Sequence, residues 1–389
     1  MTGVFHENPR TLSLEFVFYN MRIILIRAST SDPSVEKLCK TLSKNGHKVK
    51  LLAWDRGNVK NFKECNLYTL HSFRFKAPYG KLTVLFYLPI WWIYVTIFLM
   101  KEDVDVIHAC DFDTLLPAVF SKLIKKAKFC YTIYDFYADN VPTIIPRFIR
   151  RGIAYMEKAL IRYTDILFLV DESRYEQIRG SKVRKLVYIY NSPSDYFDSK
   201  RKSMAMQKEI VLFYAGYLAK SRGLEYMIKA IMNMDDVKLL LAGTGPDKES
   251  ILKLASVKPG IVNYLGWLSY EEVIKWSLSS HILFAFYDTQ IPNNKYASPN
   301  KLFEAMMCGK PIIVNDGTAM SRIVRRENCG LVVPYGNIGS IRKAIVKLRD
   351  DPKLYRTLGK NGRKAYEKCY SWEMMENRLM TAYEKLSNV

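Results

Sequence analysis

The stretch RIILIRASTSDPSVEKLCKTLSKNGHKVKLLAW, residues Arg22–Trp54, decides the fold. RIILIRA is an apolar run of strand length. STSDP is a polar turn, SVEKLCKTLSKNGHKV carries apolar residues at helical spacing with Gly46 as its stop, and KLLAW is a second apolar run. Strand, helix, strand is the unit of a parallel sheet. The alternation recurs in DVDVIHA, KFCYTIYD and DILFLVD, so a doubly wound sheet is expected to fill roughly residues 21 to 190.

Farther along, YFDSKRKSMAMQKE is polar and aperiodic and reads as a linker. A second set of units follows in IVLFYAG, VKLLLAGTG, VNYLG, ILFAFY, KPIIVND and GLVVPYG, several closed by glycine. The chain of 389 residues is longer than one core usually grows. The expected fold class is therefore α/β, two Rossmann-like doubly wound parallel-sheet domains facing a cleft. The boundaries expected are an extension at 1–20, a first domain at 21–194, a linker at 195–208, a second domain at 209–370, and a C-terminal helix at 371–389 packing back toward the first domain.

Composition narrows the function. The seven cysteines contain no Cys-x-x-Cys pair and the five histidines have no metal-ligand spacing, so neither a disulfide framework nor a metal site is expected. A reducing cytoplasm fits this usage. Residues 1–20 have no apolar core of signal-peptide length. With 59 Lys and Arg against 38 Asp and Glu the net charge is +21, which suits phosphate-bearing ligands, anionic lipid or nucleic acid. No basic cluster interleaved with aromatics and no nucleic-acid motif is present, which argues against the last.

In open parallel sheets, ligands bind beyond the carboxyl ends of the strands, where the amides of the following helix are free. YASPNKLFEAMMCGKPIIVND, Tyr296–Asp316, has that layout. Ser298 and Pro299 suit a helix start, Asn300 follows, Lys301 adds a full charge to the positive dipole end, and Glu304 lies one turn on. Such a site can hold a diphosphate; an ordinary capped helix has the same sequence.

AGYLAKSRGLEYMIKAI, LLLAGTGP, VNYLGWLSYEEVIKWSLSSHILFAFY and the Tyr296–Asp316 loop, in this order, resemble the carboxyl-terminal domain of family 4 glycosyltransferases of the GT-B fold. In the amino-terminal half, STSDPSVEKLCKTLSKNGHKVKLLAWDR, DVDVIHACDFD, YTIYDFYAD and VYIYNSP are similar to members whose first loop carries Asp-Pro rather than a double glycine. The resemblance covers residues 21 to 385. It implies a retaining transferase that moves a sugar from a nucleotide-diphospho-sugar without a protein nucleophile, a metal or another cofactor.

It implies roles residue by residue. Glu304 stands where the family contacts the ribose. The second glutamate, eight positions earlier, is Tyr296 here. After Gly216 the family has an arginine and, five residues later, a lysine against the diphosphate; here these are Tyr217 and Arg222, so one cation is missing, and Lys301 rather than Lys220 is expected to replace it. Gly243 would let the backbone approach the nucleotide, though Gly-x-Gly also marks plain turns. Across the cleft, Asp135 either orients an acceptor hydroxyl or caps a helix. Tyr137 stands near a family histidine that touches the sugar. The expected catalytic set is Arg222, Lys301 and Asp135, and the donor-binding set is Glu304, Gly216, Tyr217, Gly243, Ser298, Asn300 and Tyr296.

Two segments bear on the acceptor. Leu82–Met100 is a run of 19 uncharged residues, readable as a spanning helix, a buried helix, or one with a lipid-facing side. In PRFIRRGIAYMEKALIRYTD a helix would align Arg147, Arg151, Lys158 and Arg162 beside Phe148, Gly152, Met156, Ala159 and Tyr163. Basic beside apolar is how a helix lies on anionic lipid. The expected partners are a nucleotide-sugar donor, a lipid-linked or glycan acceptor and the anionic cytoplasmic membrane face. An epimerase of the same architecture is the alternative enzyme.

Overall fold

A computed structural model describes residues 20–30, 32–57, 66–78, 83, 86–140, 145–196 and 209–387. The extension up to residue 19 and the linker from 197 to 208 lie outside the described residues. One sheet contains β1 (Arg22–Arg27), β2 (Lys48–Asp55), β3 (Thr69–Arg74), β4 (Val106–Cys110), β5 (Lys128–Ile133), β6 (Ile166–Leu169) and β7 (Leu186–Tyr188), in the order β3-β2-β1-β4-β5-β6-β7. The other contains β8 (Ile210–Tyr217), β9 (Val237–Thr244), β10 (Val262–Tyr264), β11 (Ile282–Ala285), β12 (Ile312–Asn315) and β13 (Gly330–Val333), in the order β10-β9-β8-β11-β12-β13. All pairings are parallel. Each order reverses once, between β1 and β4 and between β8 and β11, which is the doubly wound pattern with its ligand-binding crevice at the reversal.

The central strands are the continuous apolar runs of the sequence because helices cover both faces: Ile23, Ile24, Leu25 and Ile26 of β1 are all buried. The edge strands β3 and β7, only partly buried, have no such run and were not expected.

The first sheet is flanked by α1 (Pro33–Lys44), α2 (Leu88–Lys101), α3 (Phe112–Lys125), α4 (Tyr137–Asn140) and α5 (Arg147–Ile161). The start of α1 follows from its sequence: the Asp32 carboxylate accepts the N–H groups of Ser34 (3.0 Å) and Val35 (3.4 Å), and Pro33 occupies the first turn. The second sheet carries α6 (Leu224–Ile231), α7 (Lys248–Ala255), α8 (Tyr270–Ser279), α9 (Asn300–Met307), α10 (Ala319–Glu327), α11 (Ile338–Asp350) and α12 (Pro352–Ala365). The last helix, α13 (Trp372–Ser387), returns to the first sheet. There Tyr383 meets the buried His108 Nδ1 at 2.6 Å, and Trp372 Nε1 donates to Thr41 at 3.3 Å. One apolar cluster consequently runs from β1 and α1 through α13 to Leu302, Phe303 and Met306 of α9, joining the lobes.

The apolar run resolves into α2, preceded by residues that include Leu82, Val84 and Leu85 outside the described set. One side of α2, with Trp91, Val95 and Leu99, is buried; the other, with Ile90, Ile93 and Ile97, is exposed. Among the described residues no helix is long and apolar enough to cross a membrane.

Candidate functional site

The carboxyl ends of the two sheets face each other. Asp135, just beyond β5, accepts hydrogen bonds from Arg174 Nη2 at 3.0 Å and from Asn293 Nδ2, beyond β11, at 2.8 Å. Arg174 is itself buried and donates to Asn293 Oδ1 at 3.1 Å, so one arginine ties the lobes together. The guanidinium offsets the burial that would raise Asp135, and its carboxyl is held below the usual range. Asp135 is thus an interlobe tie with one oxygen occupied. Behind it, Asp111 adopts φ +63°, a strained conformation for a non-glycine residue. Asp111 pairs with Arg27 and accepts the N–H groups of Tyr134 (2.7 Å) and Asp135 (3.1 Å).

On the second lobe, β8 ends at Gly216 and Tyr217, and the start of α9 sits beside it. Gly216 has φ +147°, and a Cβ there would lie 2.7 Å from Lys301 Nζ. The lysine fills that space, with its ammonium 4.5 Å from the centroid of Tyr214. Burial pulls the Lys301 ammonium down, but Tyr214, Tyr287 and Glu304 outweigh it and its pKa is raised. Arg222 lies over Tyr287 at 3.9 Å and donates to Asn294 Oδ1 at 3.3 Å. Glu304 is 5% exposed. Burial pushes its carboxyl up, opposed by Lys301, by Lys37 of α1 and by a hydrogen bond from the Tyr270 hydroxyl. A phosphate-sized anion at this place would meet two cations and the free amides of α9; a hydroxyl pair would meet a carboxylate.

Gly216, Arg222, Lys301 and Glu304 therefore converge, with Asn300 at the edge of an adjoining cavity. Tyr217 is 56% exposed at the rim. Gly243 is demanded from within the protein, because a Cβ there would lie 1.9 Å from the Gly216 carbonyl oxygen. Ser298 is buried toward the first lobe, its hydroxyl 3.5 Å from the Val170 carbonyl. Tyr296 lies by Asp139 and Glu176 of the first lobe. Lys220 is exposed, its N–H donating to Asp247 at 2.8 Å. The sequence reading missed Lys37, Arg174, Asn293 and Tyr270. Lys37 looks like any lysine on an amphipathic helix, and Tyr270 stands in the first turn of α8, which Ser269 and Glu272 open with a capping box, so nothing local marks its hydroxyl.

Of the expected basic stripe, Arg147, Arg151 and Arg162 are exposed, but Lys158 folds back to donate to the Arg179 carbonyl at 3.2 Å. Of the apolar strip, Met156 and Tyr163 pack onto the core and Phe148 stays 73% exposed. Helix α5 turns part of its apolar strip inward because it must cover the sheet. Among the described residues no group of three His, Cys, Asp or Glu is placed to hold a metal.

Two doubly wound sheets with facing carboxyl ends define the GT-B architecture. Residues 33–192 match the family described as Glycosyltransferase Family 4, and residues 195–365 match Glycosyl transferases group 1. The chain belongs to family 4 of the GT-B glycosyltransferases. It is 21% identical over 239 residues to the alpha-D-kanosaminyltransferase of Streptomyces kanamyceticus, covering 57% of this chain and 60% of that protein. It is 25% identical over 193 residues to a GDP-mannose-dependent monoacylated alpha-(1-6)-phosphatidylinositol monomannoside mannosyltransferase of Corynebacterium glutamicum, covering 48% and 50%. The chain thus spans between half and two thirds of these two relatives. Sucrose-phosphate synthase from Thermosynechococcus elongatus superposes with a TM-score of 0.76 at 18% identity, over 95% of this chain and 100% of that one.

Proposed function

We propose that the protein is a retaining glycosyltransferase that moves a sugar from a nucleotide-diphospho-sugar to a lipid-linked acceptor at the cytoplasmic face of a membrane. The observation that carries the donor half is the convergence of Lys301, Arg222 and Glu304 at the start of α9. Glu304 accepts the ribose hydroxyls, and Lys301 with Arg222 holds the diphosphate, Lys301 standing in for the arginine replaced by Tyr217. As the anomeric C–O bond to the diphosphate breaks, the acceptor oxygen bonds to the same face of the sugar and its proton passes to the leaving phosphate oxygen. The side chains position the reactants and stabilise the departing charge, with no metal required.

The acceptor half is supported by the outer surface of the first lobe. Helix α2 packs on α3, and α3 on α5. Ile93 (61%) on α2, Leu123 (59%) on α3 and Phe148 (73%) on α5 are exposed, with Ile97, Phe120 and Tyr155 beside them on the same helices. Exposed apolar side chains gathered on three neighbouring helices are the kind of surface that marks an interaction site. Exposed Arg147, Arg151 and Arg162 border it, which suits anionic lipid. Lipid docking would hold the enzyme peripherally, beside a lipid-linked acceptor.

A thermal-shift series with nucleoside diphosphates and their sugars tests the donor site. A ligand at a hundred times its Kd should add about 2.7 kcal/mol; the absence of stabilisation by every one would reject the reading. Release of nucleoside diphosphate only when acceptor is present separates transfer from epimerisation.

A further inference from the structure

Lys37 enters the cleft from α1 of the first lobe. Its ammonium donates to the Ser192 carbonyl at 2.5 Å and lies 4.6 Å from the centroid of Trp372. Burial draws it down to about 8, and the carboxylate that counteracts this is Glu304, across the cleft. Glu304 in turn faces Lys301 on its own helix. One carboxylate is therefore shared between a lysine of each lobe, and neither lysine has an anion to itself. Beside Lys37 lies a cavity of ≈ 340 Å³ whose wall includes Ser34 of α1, Tyr270 of α8 and Asn300 of α9, so it bridges the lobes at the start of the donor-site helix.

A half-buried ammonium held by a carbonyl and an aromatic face is under-compensated, and a second anion in reach would complete it. With Arg222, the two lysines and Glu304 in this part of the cleft, two positive charges remain after the carboxylate is counted. A nucleoside diphosphate in ester linkage carries two negative charges. The rim position next to Gly216 holds Tyr217, which brings none.

We infer that Lys37 is a donor-binding residue supplied by the first lobe, which pairs with the diphosphate of the nucleotide-sugar and makes good, together with Lys301, the cation absent at position 217. The inference rests on the donor reading proposed above. Because Lys37 belongs to the lobe opposite the nucleotide, the pairing also draws the lobes together only when the diphosphate is present. A nucleoside without phosphates engages Glu304 but not Lys37.

Isothermal titration of the full chain with uridine diphosphate and guanosine diphosphate, and with uridine and guanosine, tests this in the wild type, Lys37→Met and Lys37→Arg. Methionine keeps the stem over Trp372 and removes the charge. Lys37→Met should weaken binding of the preferred diphosphate between 10- and 150-fold, the usual range of about 1.5–3 kcal/mol for a charged hydrogen bond. Lys37→Arg should restore most of it, and all three proteins should bind the matching nucleoside alike, with unfolding midpoints within a few degrees. A wild type that binds neither diphosphate overturns the donor reading itself. A wild type that binds, with Lys37→Met binding equally well, overturns the role of Lys37 alone. An equal loss for diphosphate and nucleoside also overturns it, since Lys37 would then act on the shape of the cleft and not on phosphate.

Discussion

The helices covering the second sheet and those covering the first are built on the same plan and finished differently. On α11 the buried set is Ile341, Ala344, Ile345 and Leu348, and on α12 Tyr355 and Leu358 face inward while Lys353, Arg356 and Lys360 face water. On α2 both sides are apolar, and on α3 Phe120, Leu123 and Ile124 are all at least half exposed although Leu115, Ala118 and Val119 already bury the inward side. A helix needs one apolar stripe to cover a sheet. The second stripe of α2 and α3 is not required by the fold, and an uncovered one favours association, so its retention speaks of something that covers it. On the reading proposed above, what covers it is a bilayer.

That contrast predicts separable damage. The largest loss is expected in the donor lobe: on the proposed reading Glu304→Ala removes the acceptor of two ribose hydroxyls, each worth about 1.5–3 kcal/mol for a charged partner, so transfer should fall by roughly 10³-fold. The fold should survive, since the residue lies at the cleft. Lys301→Ala should fall by about 10²-fold and Lys220→Ala by much less, because only Lys301 is lodged under Gly216. Equal and small effects of the two lysines would remove the charge-compensation reading. All these variants should still float with anionic liposomes.

Next in size is the apolar surface. Replacing Phe120, Leu123 and Phe148 with serine removes three side chains that would enter the lipid boundary. At about 1.5 kcal/mol each, discounted for partial burial, liposome affinity should drop by about 4 kcal/mol, several hundred-fold. Turnover with a short water-soluble acceptor should be unchanged. Smaller still is the electrostatic part: Arg147→Gln, Arg151→Gln and Arg162→Gln together should cost about 3 kcal/mol at low salt, and raising ionic strength should erase most of the difference, because the attraction acts within about 10 Å at 0.1 M. Wild-type protein that remains in the supernatant with anionic vesicles at low salt would end the membrane reading.

The lobes also differ in how much of them the sequence disclosed. All six strands of the second sheet appear as apolar runs; β11 and β12 are buried throughout, and even the partly buried edge strands β10 and β13 keep such a run. In the first sheet the edge strands β3 and β7 escaped, since TLHSFR and LVY are only partly buried and have no period to read. The helix start that carries Lys301 and Glu304 was legible as a local signal, while the roles expected of the two residues came from the family resemblance. Arg174, Asp135 and Asn293 were not legible as a unit: Asn293 meets Asp135 across 158 positions, and only folding puts them together. Lys37 and Glu304 belong to the same kind, as each is ordinary on its own helix and acquires its meaning from the other.

Two glutamates buried among the described residues, Glu304 and Glu157, extend the comparison into the interior. Glu304 faces a lysine from each lobe and so keeps part of its charge compensation. Glu157 of α5 has only neutral donors, the Tyr131 hydroxyl at 2.8 Å and the Tyr137 N–H at 3.3 Å. Burial pushes its carboxyl from 4.5 to about 8, with Asp111 and Asp113 adding to the rise against the Tyr131 hydrogen bond. In the unfolded chain the group ionises near 4.5, so between there and about 8 the folded state holds a proton that the unfolded state has released. Stability due to this residue is therefore complete below the unfolded value and declines as pH rises, by about 1.4 kcal/mol per unit at most, until the folded group ionises as well. Glu157→Gln abolishes that decline. In urea titrations the variant should match or trail wild type near pH 5, where it loses one favourable hydrogen-bond geometry, and gain on it by about 1 kcal/mol per pH unit up to pH 7.5. Glu304→Gln should change the slope less, because its lysines stabilise the ionised form in the folded state. Parallel pH profiles for wild type and Glu157→Gln would mean that water or a cation reaches Glu157, and the distinction between the two interiors would fall.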